Sequence, residues 1–226
     1  MRRLLLRLGR WLVLLGLLFL LVPIPLVLTL RIIEPPTTMV MVLRTVERVF
    51  NGARPFYPRR QPLPIERISP WLRRAVVAAE DDRFYGHYGF DFREIARALE
   101  AYEQGKPLRG ASTISQQTAK NLFLWDGRSY LRKGLEAYLT VVLETLLPKE
   151  RILEIYLNLA EWGDGVFGAE MAAQMSYGKA AALLSREEAA RLAAILPNPR
   201  GWDVNGRSAR RRARVILERM STQGER

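Results

Sequence analysis

Hydrophobic positions are spread unevenly along the 226 residues of this chain. From Trp11 to Leu30 they form an almost unbroken run of about 20 residues, enough to cross a hydrocarbon core of roughly 30 Å as a helix. Pro23 and Pro25 fall inside the run and predict a kink or an early end. Met39 to Phe50 is again apolar but carries Arg44, Glu47 and Arg48. It predicts an amphipathic helix lying either on a membrane surface or on a domain core, because periodicity does not separate the two. Between Asn51 and Pro70 stand Pro55, Pro58, Pro62, Pro64 and Pro70, which exclude a helix and predict an extended connector.

From Trp71 onward the period is helical almost everywhere. Trp71, Leu72, Ala75, Val76 and Ala79 carry a helix into Glu80. Asp91 and Glu94 predict the capped start of a helix bearing Ile95 and Leu99 and stopping near Gly105. Ser112 is placed to cap a helix on which Thr113, Gln117 and Lys120 share one face. Tyr130 to Leu147 and Glu150 to Leu159 predict two longer helices parted by Pro148. Ser185 with Glu188 opens the helix of Ala189, Leu192 and Leu196, which Pro197 and Pro199 end, and a last helix covers Ser208 to Met220. With no alternating strand pattern or hairpin signal, the fold class is mostly α. The organisation is a basic N-terminus (1–10), a transmembrane helix (11–30), a membrane-proximal segment and connector (31–70), and one helical domain (71–226).

Charge adds a direction. Arg2, Arg3, Arg7 and Arg10 precede the apolar run with no acid among them, so that end stays in the cytoplasm and the remainder is exported. The run is longer than a signal-peptide core and lacks a small-residue cleavage site, which favours a retained anchor. The net charge is +12, and the five arginines of residues 1–31 leave +7 on the exported part. A basic body held at a membrane suits anionic head groups or a lipid-linked diphosphate better than nucleic acid. The absence of cysteine excludes disulfides, thiol nucleophiles and Cys-ligated zinc, and a single histidine, His87, excludes multi-His metal sites.

Three clusters bear chemistry. Glu80, Asp81 and Asp82 end an apolar helix, where the helix dipole disfavours negative charge. Such a local conflict marks function more often than structure, although pairing with Arg83 or Arg93 is the plainer reading. Phe84, His87 and Gly89 follow in a segment that Gly86 and Gly89 allow to turn tightly, and a lone histidine is more often structural than catalytic. Thr113, Gln117 and Lys120, flanked by Gln116 and Asn121, offer a hydroxyl, an amide and a cation, suited to a sugar and a phosphate or simply to a solvated face. Arg128, Arg132 and Glu136 recur every four residues with Lys133 beside them, as a clamp or as a surface ion pair. The arginine-rich last helix reads as a solvated face.

In order, EDDRFYGHYGF, GASTISQQTAKNLF, RKGLE, KERILEIYLN and RLAAILPNP resemble the five motifs of the peptidoglycan glycosyltransferases that polymerise lipid II, over about Glu66 to Pro199. EWGDGVFGAE, from Glu161 to Glu170, resembles the short members with one anchor. Ser115 stands where a threonine is frequent in the family, with the hydroxyl kept. Ser176 to Lys179 spells SxxK, but the SxN and KTG elements of a transpeptidase are missing, so none is expected.

The resemblance implies a lysozyme-like helical lobe, a smaller lobe near the membrane and a cleft between them, in the bacterial inner membrane with the catalytic domain periplasmic. It implies that Glu80 is the base that deprotonates the acceptor's 4-hydroxyl, and that Glu136 arranges the diphosphate leaving group. Asp81, Phe84, His87, Ser112, Thr113, Gln116, Gln117, Lys120, Asn121, Arg128, Arg132 and Lys133 become substrate-binding candidates. No cofactor is required, and a divalent cation such as Mg²⁺ would share the cations' task. The expected partners are lipid II, the growing glycan, the membrane and other cell-wall synthesis proteins, with no nucleic acid. A glycan-cleaving transglycosylase and a non-enzymatic scaffold are the rival readings.

Overall fold

The computed structural model describes residues 2–52, 59–107, 110–127 and 129–222. An apolar rod leads in, formed by α1 (Arg2–Leu21) and α2 (Pro23–Thr29). The two helices part at Val22, just ahead of the prolines that cannot donate to the helical ladder. Gly9–Thr29 is long and apolar enough to cross a membrane, and Trp11, Val13, Leu17 and Leu18 are exposed on it. One N-terminal apolar helix of this kind fits a membrane anchor. Its far end is not free of the body. Val27 and Leu30 are buried, Tyr138 Oη donates to Leu20 O, and Arg151 Nε donates to Leu30 O at 2.7 Å.

Thr38 caps α3 (Met39–Phe50), whose Val40 and Met41 are buried while Val42, Val46, Val49 and Phe50 stay exposed. The helix packs on the body through its charges. Arg44 Nε donates to Glu161 Oε2 at 2.9 Å, Arg48 pairs with Asp164 at 2.7 Å and Arg200 with Glu47 at 3.1 Å.

The connector is more than a spacer. Its β1 (Arg59–Arg60) joins a three-stranded sheet that the sequence pattern had not predicted, completed by β2 (Glu161–Gly163) and β3 (Val166–Phe167) in the order β1-β3-β2. Strands of two or three residues are too short to show alternation. The Asp164-Gly165 pair between β2 and β3, with Gly165 at φ 70°, was nevertheless a hairpin signal. Asn158 closes this corner, accepting from Leu63 N at 3.0 Å and donating to Leu63 O at 2.8 Å.

The helical body follows the sequence pattern. Ser69 and Pro70 start α4 (Pro70–Glu80), and Asp91 accepts from Arg93 N and Glu94 N to start α5 (Phe92–Glu103). For α6 (Ile114–Phe123) the cap is Thr113 rather than Ser112, because only Thr113 completes a reciprocal capping box with Gln116. Pro148 separates α7 (Tyr130–Leu146) from α8 (Lys149–Leu159), as expected. A further helix, α9 (Ala169–Tyr177), was not anticipated, and it precedes α10 (Arg186–Ile195) and α11 (Arg207–Thr222). One group of helices is α4, α10 and α11, the other α6, α7 and α8. Between them the C-terminal end of α4 meets the side of α6 through Gln117 and Glu80, and that junction holds the candidate site.

Candidate active site

Glu80 is the last residue of α4, and its side chain is 12% exposed. Its two oxygens are held from opposite directions. Gln117 Nε2, from α6, donates to Oε2 at 3.0 Å, and an Arg212 nitrogen, from α11, donates to Oε1 at 3.1 Å. Of the neighbouring arginines suggested by the sequence, Arg83 pairs instead with Asp91 at 2.9 Å.

The last helix also resolves the conflict of a carboxylate at a helix C-terminus. Arg212 donates to Ala79 O and Arg219 to Ala78 O, each at 3.1 Å. The two guanidiniums satisfy carbonyls that the end of α4 leaves open and offset its negative pole. The expectation of a merely solvated arginine face therefore fails for Arg212.

Glu80 opens into a cleft of about 800 Å³, lined also by Asp81, Asp82, Asp91, Glu94, Arg97, Ser112, Thr113, Gln117, Arg212 and Arg219. Behind it, the first and second motifs are bolted together. Asp81 is buried, with His87 Nε2 2.8 Å from Oδ1, while Ile114 N at the start of α6 donates to Oδ2 at 3.0 Å. Thr113 Oγ1 donates to Gly89 O at 2.7 Å, and Gln116 Oε1 accepts from Thr113 N at 3.0 Å. Phe84 lies in the core beneath Lys149 Nζ, 4.4 Å from its ring centre, and that ammonium donates to Glu144 at 2.7 Å. Ser115 also donates to Glu144. Phe84, His87 and Gln116 thus face inward, and their contacts hold the cleft wall in shape.

The cations stand on the α6 and α7 side. Lys120, one turn beyond Gln117, is half-buried, and its ammonium has no partner among the described residues; Asn121 is half-buried beside it. Glu136 is buried on α7 and takes Arg132 at 2.7 Å and Lys133. Lys133 Nζ also lies 3.4 Å from Ser112 Oγ, so it links Glu136 to the rim of the cleft that contains Glu80. Arg128 lies outside the described residues.

A divalent cation fits poorly at Glu136, because both its oxygens are already engaged by cations. Among the described residues, Asp81, His87 and Asp91 bring ligand atoms within 4.8 Å of one another and could hold a metal ion. There an incoming ion would displace the Asp81–His87 contact and the Arg83–Asp91 pair.

The family model described as transglycosylase matches residues 47–221. The chain belongs to this family. It is 53% identical over 201 residues to the biosynthetic peptidoglycan transglycosylase of Pseudomonas fluorescens (strain SBW25), covering 88% of this chain and 83% of the relative. The namesake from Pseudomonas entomophila (strain L48) is 52% identical over 203 residues, covering 89% and 86%. That of Chromohalobacter salexigens is 54% identical over 180 residues, covering 80% and 76%. The protein is accordingly a glycosyltransferase of peptidoglycan biosynthesis, on the lysozyme-like, mostly α fold of the transglycosylases. Sequence reasoning missed Arg212 and Arg219, which carry no local signal, and Tyr156, whose hydroxyl donates to Gln117 Oε1 at 3.2 Å.

Proposed function

We propose that the enzyme is an inverting glycosyltransferase that joins lipid II units into β-1,4-linked glycan and releases undecaprenyl diphosphate. The observation that carries this reading is the placement of the Glu80 carboxylate in the cleft, between Gln117 and Arg212, with Lys120 one helical turn beyond Gln117 on α6. Both contacts to Glu80 come from donors, which fix the direction in which its two oxygens point. Glu80 takes the proton of the acceptor's 4-hydroxyl as that oxygen attacks the anomeric carbon of the donor sugar. The bond to the diphosphate breaks on the opposite face, and inversion turns the α-linked donor into a β-linked product.

Charge accumulates on the departing diphosphate, and fixed cations stabilise it most where water is excluded. Lys120, Arg132 and Lys133 supply them, with Ser112, Gln117 and Asn121 as neutral donors for sugar and phosphate, whereas the hydroxyl proton of Thr113 is committed to Gly89 O. Glu136 holds Arg132 and Lys133 in place. Asp81, His87, Phe84 and Gln116 keep the wall rigid. Residues 11–30 anchor the chain in the inner membrane with the N-terminus in the cytoplasm, so the catalytic body meets the lipid-linked substrate at the outer leaflet. Membrane-proximal residues 31–70 join the anchor to the domain of 71–226.

Incubation of the full chain with lipid II and, separately, with finished glycan tests the proposal. Polymer from lipid II and no fragments from glycan are expected. Fragments from glycan with no polymer from lipid II would make the enzyme a cleaving transglycosylase.

A further inference from the structure

The chemistry above leaves one buried polar group in contact with the site unused. Tyr156 lies on α8 with 2% of its surface exposed, and its hydroxyl donates to Gln117 Oε1 at 3.2 Å. Gln117 Nε2 in turn donates to Glu80 Oε2 at 3.0 Å. The three side chains form a line from the core to the cleft.

The two ends of a glutamine amide have nearly the same shape and opposite hydrogen-bonding character, and the torsion that exchanges them is soft. With the nitrogen toward Glu80 the carboxylate gains a donor, whereas with the oxygen toward it two acceptors face each other. A partner for Oε1 on the far side therefore decides how firmly the productive orientation is kept. Tyr156 is suited to that task because burial, and then the nearby Glu80 charge, hold its pKa well above 10. The phenol keeps its proton and remains a donor wherever the enzyme works. A phenylalanine would fill the same core volume, so packing alone gives no reason for the hydroxyl.

We infer that Tyr156 is a positioning residue: acting through Gln117, its hydroxyl fixes the amide that aims Glu80 at the acceptor's proton. The inference rests on the reading of Glu80 as the base.

The test is a double-mutant cycle on the full chain in lipid vesicles, with kcat, KM for the lipid-linked substrate and Tm measured for each variant. Tyr156→Phe is expected to lower kcat about tenfold, the worth of one hydrogen bond, with KM and Tm close to wild type. Gln117→Leu lowers kcat at least as much. Adding Tyr156→Phe to Gln117→Leu changes kcat less than about twofold, because no amide remains to be oriented. Unchanged kcat in Tyr156→Phe, losses that multiply in the double variant, or a kcat loss that follows a fall in Tm would overturn the inference. Its failure is distinct from failure of the base assignment: full turnover by Glu80→Gln removes the base, whereas an inactive Glu80→Gln beside a wild-type Tyr156→Phe removes only the positioning role.

Discussion

Glu80 and Arg212 are 132 residues apart in the chain and 3.1 Å apart in the fold. Arg212 also holds the Ala79 carbonyl at 3.1 Å, so one guanidinium both pairs the carboxylate and closes the end of α4. Arg212→Gln is predicted to lower kcat by about tenfold or more, since a charge-assisted hydrogen bond to Glu80, the proposed base, is lost. Arg212→Lys recovers only part, because the lysine stem is shorter and its ammonium more strongly hydrated than the guanidinium nitrogen that makes both contacts. Steady-state elongation rates check this, and a wild-type rate in Arg212→Gln would contradict the role.

The first two motifs depend on Gly89. Its φ is +79°, and an added Cβ would stand 2.9 Å from Thr140 Cγ2 and 3.2 Å from Glu144 Cγ. Gly89→Ala is therefore expected to cost about 1–3 kcal/mol. Gly86→Ala, with nothing within 4 Å of the new carbon, should stay within about 0.5 kcal/mol of wild type. Chemical denaturation of both variants decides, and equal midpoints would contradict the packing account.

The far end of the N-terminal apolar rod is a structural part of the body. A chain starting at Pro23 keeps buried Val27 and Leu30 and the pairs of Glu34 with Arg60 at 2.7 Å and Arg151 at 2.6 Å. A chain starting at Pro36 loses all of these. Burial pulls the Arg60 guanidinium below its usual range and Glu34 partly offsets that, so the loss leaves a poorly compensated buried charge. The shorter chain is predicted to be less stable than the longer by at least about 3 kcal/mol. Coincident urea transitions would show that residues 23–35 are mere tether.

Stability should carry a pH signature from the start of α10. The backbone N–H of Ser185, ahead of the Lys179 ammonium, lowers the Glu188 carboxyl from its ordinary 4.5. A lowered folded-state value means that the ionised group stabilises the fold above pH 4.5, and that this contribution is lost as pH falls through the lowered value. The stability gap between wild type and Glu188→Gln is thus predicted to be full at neutral pH and to shrink steadily below pH 4.5. A gap unchanged down to pH 3, roughly a unit and a half below the free carboxyl, would contradict the assignment.

What was legible in the sequence was local. Pro148, the Asp91 cap and the Ser185/Glu188 box are punctuation read within a few residues, and the helices start and stop close to where they stand. The capping error at Ser112 had a local remedy, since Thr113 and Gln116 spell the capping box and Ser112 does not. For α9 the start is Gly168 at φ 85°, a helix entry without a capping side chain, although Ala169 to Met175 is rich in helix formers and Gly178 at φ 66° marks the stop. The site was legible only in part. Glu80, Gln117 and Lys120 come from motifs close in sequence, but the arginine that pairs Glu80 sits in a run whose period resembles any solvated helix face. Contacts between distant segments are set by how the helices pack, and hydrophobic periodicity does not record which polar residue a packed helix turns toward its neighbour.

The central claim, that Glu80 is the base, is tested most directly by the rate of glycan elongation from lipid II in Glu80→Gln, measured beside the binding of lipid II to the same variant. The account predicts a fall of about 10²–10⁴-fold in rate with binding retained. Elongation at the wild-type rate in Glu80→Gln would contradict it.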